Sequence, residues 1–599
     1  MKSVLAFGGA ILAFAANAVT VQTYDVTAGE QTVDVSTLGA DVQIRKTGAG
    51  VLKLTGAGAY AGGIDFQAGE VWALSEGALG TGAVTYGTTE KMSLVFCAEG
   101  ATFANAIVFA AYAQPFSEQR GQIEFRADTT LTGPIAEPPS GTSGKCWIRI
   151  GVQAGQTHAV NLDGTLTFPN SWLSILPYGT LYLNGDINAG QLAFNTGSYG
   201  YLGTVHFSRT VKTGSYGKYT NLGRWNVINL MSANLVFDTP NAYDGGRWVA
   251  YNRFSVDENL NSFNLNGNAL SVMEIACTGI DTSASSRTPP AAPNERDWLR
   301  IWTPTDRPAK LTITGIGSNG SGYNYGKTDQ YHAFSGALSV DFNGQSYTEY
   351  TLRNRTHPMT GTLAVNGGKL ITTGATSFPN VPTLTVAAGA TFEATSTAKM
   401  FPSCKSLTVD GTLAFTSDPG FSRGAVALGA DASLTLPSET VLDVGSLTVN
   451  GVAKPTGLYS AANVPQIKAG RIFVRGDDLV LTEPVTFLQV EAGMTNSIDE
   501  LIATAPTAGT VLKTGGGVVT SSDRLQGFIG QIVIAEGGFS VNGNGQTGPQ
   551  DAATAPGIRV LSGASFILAE GAAQNQLKLY TPSVSLARDW TGGARSTTS

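Results

Sequence analysis

A glycine returns every few positions through residues 46–86, KTGAGVLKLTGAGAYAGGIDFQAGEVWALSEGALGTGAVTY. Between the glycines the chain has room only for short alternations of apolar and small or polar residues. Leu52 and Leu54 form one such run, Ile64 and Phe66 another, Val71 and Ala73 a third. Period-2 runs of this length suit strands with one buried face. The glycines suit sharp corners, where positive φ or close backbone approach excludes larger residues. The unit reads as strand, corner, strand, corner, strand, with no helix. At 599 residues the chain exceeds one ordinary core. A solenoid avoids that limit, because each repeat contacts only its neighbours and the core grows linearly.

Composition narrows the function classes. Glycine supplies 74 residues, close to twice the usual share of about 7 %. Charged residues make up 14 %, against about 25 % in typical domains. The apolar share of 42 % is enough for a core and opposes disorder. The net charge of −7 comes with no basic patch, which excludes a nucleic-acid partner of the ordinary kind. Residues 1–18 read as a secretory signal peptide: Lys2, an apolar stretch from Val4 to Phe14, and an Ala16-Asn17-Ala18 cleavage site ahead of Val19. No later segment is long and apolar enough for a transmembrane helix. Cys97, Cys146, Cys277 and Cys404 lie 49, 131 and 127 residues apart. At about 21 residues and about 4.8 Å per coil, the nearest pair would stand about 10 Å apart along a solenoid axis. That is too far for a disulfide, so the four are expected to act as small buried hydrophobes.

Along the chain, residues 19–45 read as a capping first coil. Strand-like runs continue through residues 88–335, but the glycine corners become irregular. Polar insertions occupy residues 283–296 and 318–331, and such insertions on solenoids tend to gather on one working face. From Phe334 the pattern is regular again. Leu363, Leu384, Leu407 and Leu447 hold equivalent places at separations of 21, 23 and 40 residues, the last equal to two coils of 20. Residues 451–474 read as a closing turn and last strand. A β-helix over 19–480 is therefore expected, with irregular insertions around 283–331. A second, shortened β-helix unit is expected over 485–599. Ser497-Ile498-Asp499-Glu500 has the form of a capping box, which predicts a short helix. Residues 512–541 repeat the opening unit: Lys513-Thr514-Gly515-Gly516-Gly517 mirrors Lys46-Thr47-Gly48-Ala49-Gly50, and residues 531–538 followed by 539–541 mirror 64–69 and 71–73.

These two segments resemble the autotransporter-associated β-strand repeat, also called the passenger-associated transport repeat. The motif places fall on Lys46, Gly48, Gly50, Leu52, Leu54, Tyr60, Gly62, Gly69, Leu79, Gly80 and Gly82, and in the second copy on Gly515, Gly517, Phe528 and Gly530. The second copy departs by having Val518 and Val519 in the Leu-x-Leu place and no clear Leu-Gly-x-Gly end. The clear matches cover about 70 of the 599 residues. The resemblance implies an exported passenger folded as a right-handed parallel β-helix, with the motif glycines in structural roles. It often implies a C-terminal outer-membrane barrel as well. No set of amphipathic strands with aromatic girdles is seen here, so a fragment, another anchor or release is expected.

The candidates for chemistry weigh toward structural roles. Glycoside hydrolysis needs two facing carboxylates. Asp163, Asp186, Asp341 and Asp410 sit near glycine-bearing strand ends, where Asp more often bonds its own backbone. His158, His206, His332 and His357 are widely separated, form no zinc motif and read as surface or loop residues. No serine-protease signature, phosphate loop or calcium-binding nonapeptide repeat is present. Arg475-Gly476-Asp477 spells an RGD tripeptide at a strand end, a short match more often structural than adhesive. Tryptophans suit sugar faces but more often pack in cores; Trp298 and Trp302 are the candidates for facing a ligand. No catalytic residue, cofactor or metal is assigned. The reading is an all-β, right-handed parallel β-helix solenoid, exported to an extracellular or cell-surface location and structural or adhesive in role. Its partners would be surface glycans or proteins of host or neighbouring cells. A carbohydrate-active β-helix enzyme, lyase or hydrolase, and a non-catalytic glycan-binding protein remain the alternatives.

Overall fold

The short alternating runs are strands, and nearly all of them pair in parallel. The structure is a computed structural model. It describes residues 19–87, 92–109, 121–137, 147–152, 156–176, 178–194, 203–209, 211–213, 227–230, 233–240, 242, 247–251, 261–272, 274–278, 299–315, 332–345, 348–353, 355–396, 399–475, 481, 484–498, 509–521, 530–541, 557–561, 564–568 and 584–586. The signal-like segment 1–18, the two polar insertions, Trp298 and Phe528 lie outside the described residues. The chain divides into two units, Met1–Ser339 and Val340–Ser599.

The first unit is a parallel β-solenoid. One ladder runs through Thr20–Asp25, Val42–Thr47, Ile64–Phe66, Val84–Tyr86 and Ile107–Phe109. A second runs through Glu30–Asp34, Val51–Thr55, Glu70–Ala73, Met92–Phe96 and Gly121–Phe125. A third begins at Ala101–Phe103 and continues through Thr129–Leu131, Ala159–Leu162, Thr180–Leu183 and Thr204–Phe207. Alternation puts every second side chain inside: Leu52, Leu54, Ile64, Phe66, Val71 and Ala73 are all buried. The irregularity of the sequence beyond residue 88 lies in the corners. From Ile44 to Ile64 and from Ile64 to Val84 the chain takes 20 residues each, but 28 from Ile107 to Ile135 and 31 from Ile135 to Leu166. The strands keep register while the loops between them lengthen. Aromatic rings meet through the interior from coil to coil: Phe66 lies tilted against Tyr86 at 5.0 Å, while Tyr86 stacks on Phe109 at 4.3 Å and Phe207 on Phe237 at 5.4 Å.

The second unit repeats this plan with tighter periodicity. Leu363, Leu384, Leu407, Val426 and Leu447 occupy one rung position in successive strands. Val426 is the coil that the 40-residue interval skips. A facing ladder joins Glu349–Arg353, Lys369–Gly374, Thr391–Ser396, Thr412–Phe415 and Ser433–Thr435. At one corner His357, Phe378, Phe401 and Phe421 stack with ring centroids 4.6, 5.3 and 5.6 Å apart. The parallel order then stops. Ser446–Val449 pairs antiparallel with Val452–Lys454, and Arg471–Val474 pairs antiparallel with Gly457–Tyr459. Antiparallel returns of this kind cover an edge that would otherwise template another chain.

Beyond residue 484 two further parallel ladders form. One contains Val485–Gln489, Thr510–Thr514, Gln531–Ile534 and Gly557–Val560; the other contains Thr495–Ser497, Val518–Ser521, Gly538–Val541 and Ser565–Leu568. The first of these sheets is buried on both faces. Val511, Ile532, Ile534 and Ile558 pack inward with Val519 and Phe539. Leu512 and Val533 pack the other way, against Phe473 and Leu481. The consecutive apolar pairs Val511-Leu512 and Ile532-Val533 are the sequence mark of a strand without a wet face. Ser497 ends a strand, Ile498 follows it as a buried helical residue, and the rest of the expected helix lies outside the described residues.

Candidate functional site

The two motif copies build the same corner around a buried lysine. Lys46 is the last residue but one of the strand Val42–Thr47, and its Nζ donates to the carbonyl oxygens of Thr47 at 2.7 Å, Gly48 at 2.6 Å and Ala68 at 2.9 Å. Lys513 donates to the carbonyl oxygens of Gly515, of Gly517 at 2.6 Å and of Glu536 at 2.8 Å. Both side chains are fully buried. Three carbonyl acceptors match the three donors of an ammonium, which makes its burial tolerable. Burial lowers both lysines, Lys513 to about 8. Sequence reading placed these lysines in the motif but gave them no task. The signal was there, since a lysine opening a run of glycines has only backbone carbonyls to bond.

The motif glycines surround these corners. Gly48, Gly69, Gly80 and Gly515 have positive φ, while Gly50, Gly62, Gly82 and Gly517 lie against backbone of the preceding coil. Gly69 shows why no side chain fits: at φ 75°, a Cβ would stand 2.5 Å from the carbonyl oxygens of both Gly48 and Gly50. Gly537, at φ 69°, takes the equivalent place in the second copy. Gly530 turns the chain into the strand Gln531–Ile534. Tyr60 is buried, and its hydroxyl donates to the Ala78 carbonyl at 2.8 Å.

The outer faces carry engaged aromatic side chains. Lys53 Nζ and the Arg126 guanidinium lie over the Trp72 ring at 5.1 and 4.4 Å, and the indole N–H donates to Glu70 at 2.7 Å. Trp302, a candidate ligand-facing aromatic, is half-buried with the Arg300 guanidinium 4.8 Å from its ring centre. Tyr182 stacks on His206 at 4.7 Å, and His206 Nδ1 meets Asp238 Oδ2 at 2.8 Å. A sugar ring landing on Trp72 or Trp302 would have to displace a cation.

Two of the four histidines correct the sequence reading. His332 and His357 are fully buried, His332 within the strand His332–Gly336 and His357 in the aromatic corner stack. An imidazole is flat enough to join a phenylalanine stack, and its polarity did not forecast this. Asp163 accepts from Asn184 Nδ2 at 2.8 Å, and Asp341 is buried within a strand. Cys404 is buried and Cys97 half-buried; both are free thiols. Arg475 of the RGD tripeptide is buried and ion-paired with Asp443, while Gly476 and Asp477 lie outside the described residues.

Among the described residues one group of side chains has metal-ligand chemistry. Glu99, Asp128 and His158 bring a carboxylate, a carboxylate and an imidazole within 4.8 Å of one another. Their sequence spacing is that of whole coils, so no local motif announced them. Among the described residues no helix is long and apolar enough to cross a membrane.

These features define a parallel β-solenoid whose corners are tied by buried lysines. No known protein family, curated protein or solved structure matches the chain.

Proposed function

We propose that this chain is an exported structural or adhesive β-solenoid of the autotransporter-passenger type, working at a cell surface without catalysis. The observation that carries the reading is the coil-to-coil engagement of both the inside and the outside of the stack. Parallel ladders satisfy the backbone, aromatic columns fill the interior, and lysine-tied corners leave little freedom between coils. Outside, Lys53 pairs with Glu30, Arg45 with Asp65 at 2.7 Å, and Lys369 with Glu393 at 2.8 Å, each across neighbouring strands. Exposed pairs add little energy singly, but they leave the surface polar and mixed in sign. Stiffness of this kind suits display, with surface glycans or proteins of neighbouring or host cells as partners. The signal-like residues 1–18 support export, and an outer-membrane location would follow from a barrel or another anchor.

The test is a screen of the purified chain from Val19 against glycans and polysaccharides, reading binding and product release separately. No product release, with the protein found in the extracellular or surface fraction, is the expected result; silence in binding as well would point to a protein partner. Product release would replace this reading with a carbohydrate-active β-helix enzyme. Binding without turnover would favour the adhesive form of this reading and point to the tryptophans.

A further inference from the structure

We propose that Glu99, Asp128 and His158 form a divalent-cation site of the zinc type, bridging three successive coils of the first unit. Each residue sits just before a strand of the third ladder: Glu99 before Ala101–Phe103, Asp128 before Thr129–Leu131, His158 before Ala159–Leu162. Those strands pair rung on rung, so residues far apart in sequence meet at one corner.

The geometry fits coordination better than a simple ion pair. His158 Nδ1 lies 3.4 Å from Asp128 Oδ1. A charge-assisted hydrogen bond would close to about 2.7–2.9 Å. Two ligands on a tetrahedral zinc, with bonds of about 2.0–2.1 Å, stand about 3.3–3.4 Å apart. Backbone donors already aim the carboxylates: the Asp128 N–H donates to Glu99 Oε2 at 3.2 Å, and the Ala159 N–H to Asp128 Oδ1 at 2.9 Å. Second partners of this kind fix ligand orientation, and a carboxylate oxygen that accepts one hydrogen bond keeps a second lone pair for a metal. The charge is also uncompensated. Among the described residues no lysine or arginine pairs with Glu99 or Asp128, and His158 alone faces them. Two carboxylates with one imidazole thus attract a cation.

The donor set selects the class of ion. Imidazole favours zinc and its neighbours, whereas magnesium and calcium prefer all-oxygen sites with more ligands. Glu99 is exposed, so a fourth position would open to water. The site would clamp three coils that repeat after 28 and 31 residues, against 20 in the opening coils.

The experiment is calorimetric titration of zinc into the chelator-treated full chain, beside Glu99→Gln and His158→Gln, with thermal unfolding of each protein as a second readout. The expected result is one zinc equivalent bound by the parent chain, at least tenfold weaker in either variant. Zinc should raise the unfolding temperature of the parent chain alone, and magnesium should not. Equal zinc binding in all three proteins overturns the proposal, as does no binding or an equal response to magnesium. Unfolding without metal shows whether each variant is folded. A variant that fails to fold is replaced by Glu99→Ala, whose side chain is exposed.

Discussion

The Lys46 ammonium donates to the carbonyl oxygen of Ala68, 2.9 Å away and one coil further along the chain. That bond joins two coils through a side chain where the backbone ladder has ended. Lys46→Met would keep the length of the stem and remove three donors. The carbonyls of Thr47, Gly48 and Ala68 would lose their ammonium partner inside the protein, at about 1–3 kcal/mol for each left unsatisfied. Hydrogen exchange should show local opening around residues 46–69 before the rest of the first unit. Unchanged protection there would count against the lysine tie.

Lys513 gives the same tie a pH signature. Burial lowers it to about 8 from the ordinary 10.5, Glu536 opposing the shift and Arg471 adding to it. Between those values the unfolded chain holds more protons than the folded one, so stability rises with pH across that window. The cost of burying the charge is fully present below pH 8 and gone above pH 10.5. Relative to Lys513→Met, the parent chain should gain at most about 3 kcal/mol from pH 8 to 10.5. Denaturant unfolding of both proteins at the two ends measures this. A loss over the same window would mean that the three carbonyls hold the ammonium charged.

Gly69 and Gly29 separate two reasons for glycine. Both have positive φ, 75° and 69°. A Cβ at Gly29 would meet nothing within 4 Å, whereas at Gly69 it would strike two carbonyl oxygens. Gly29→Ala should cost about 1 kcal/mol, the penalty for a left-handed L-residue. Gly69→Ala should cost clearly more, read as a lower denaturation midpoint. Equal midpoints would show that the corner yields freely.

Phe401 stands at the middle of the corner stack, 5.3 Å from Phe378 and 5.6 Å from Phe421. It is fully buried. Phe401→Ala should destabilise the second unit by about 3–5 kcal/mol. Phe401→Leu should cost less, because it fills most of the space and loses only the ring contacts. Thermal unfolding ranks the two variants.

Arg475 tests the adhesive tripeptide. Its guanidinium is held by Asp443, which Arg423 also approaches at 3.3 Å. Arg475→Ala should cost about 1–3 kcal/mol, since it removes a charge-assisted hydrogen bond while Arg423 stays beside the Asp443 carboxylate. Integrin-dependent cell attachment to the folded parent chain should be absent. Attachment that a free RGD peptide competes away would reverse the assignment.

Much of the fold was legible because a solenoid is written in local terms. Leu363, Leu384 and Leu407 announced their rung by spacing, and the skipped coil at Val426 fell where a doubled interval placed it. The candidate site was not legible in that way. Glu99, Asp128 and His158 are separated by corners of variable length, and nothing local says which residue of one coil will stand beside which residue of the next. His357 was misread for the same reason, since its place in the stack depends on Phe378 arriving beside it.

The sequence by itself determined the strand rhythm, the sharp corners and the solenoid, because alternation and glycine placement act within a few residues. Only the tertiary structure decided what the polar side chains do. It turned Lys46 and Lys513 into buried ties, closed cations over Trp72 and Trp302, buried both faces of the sheet at Thr510–Thr514, and gathered three ligands at one corner. Each of these depends on register between coils. Register is set by how much chain each corner absorbs, a quantity that emerges only when the coils stack.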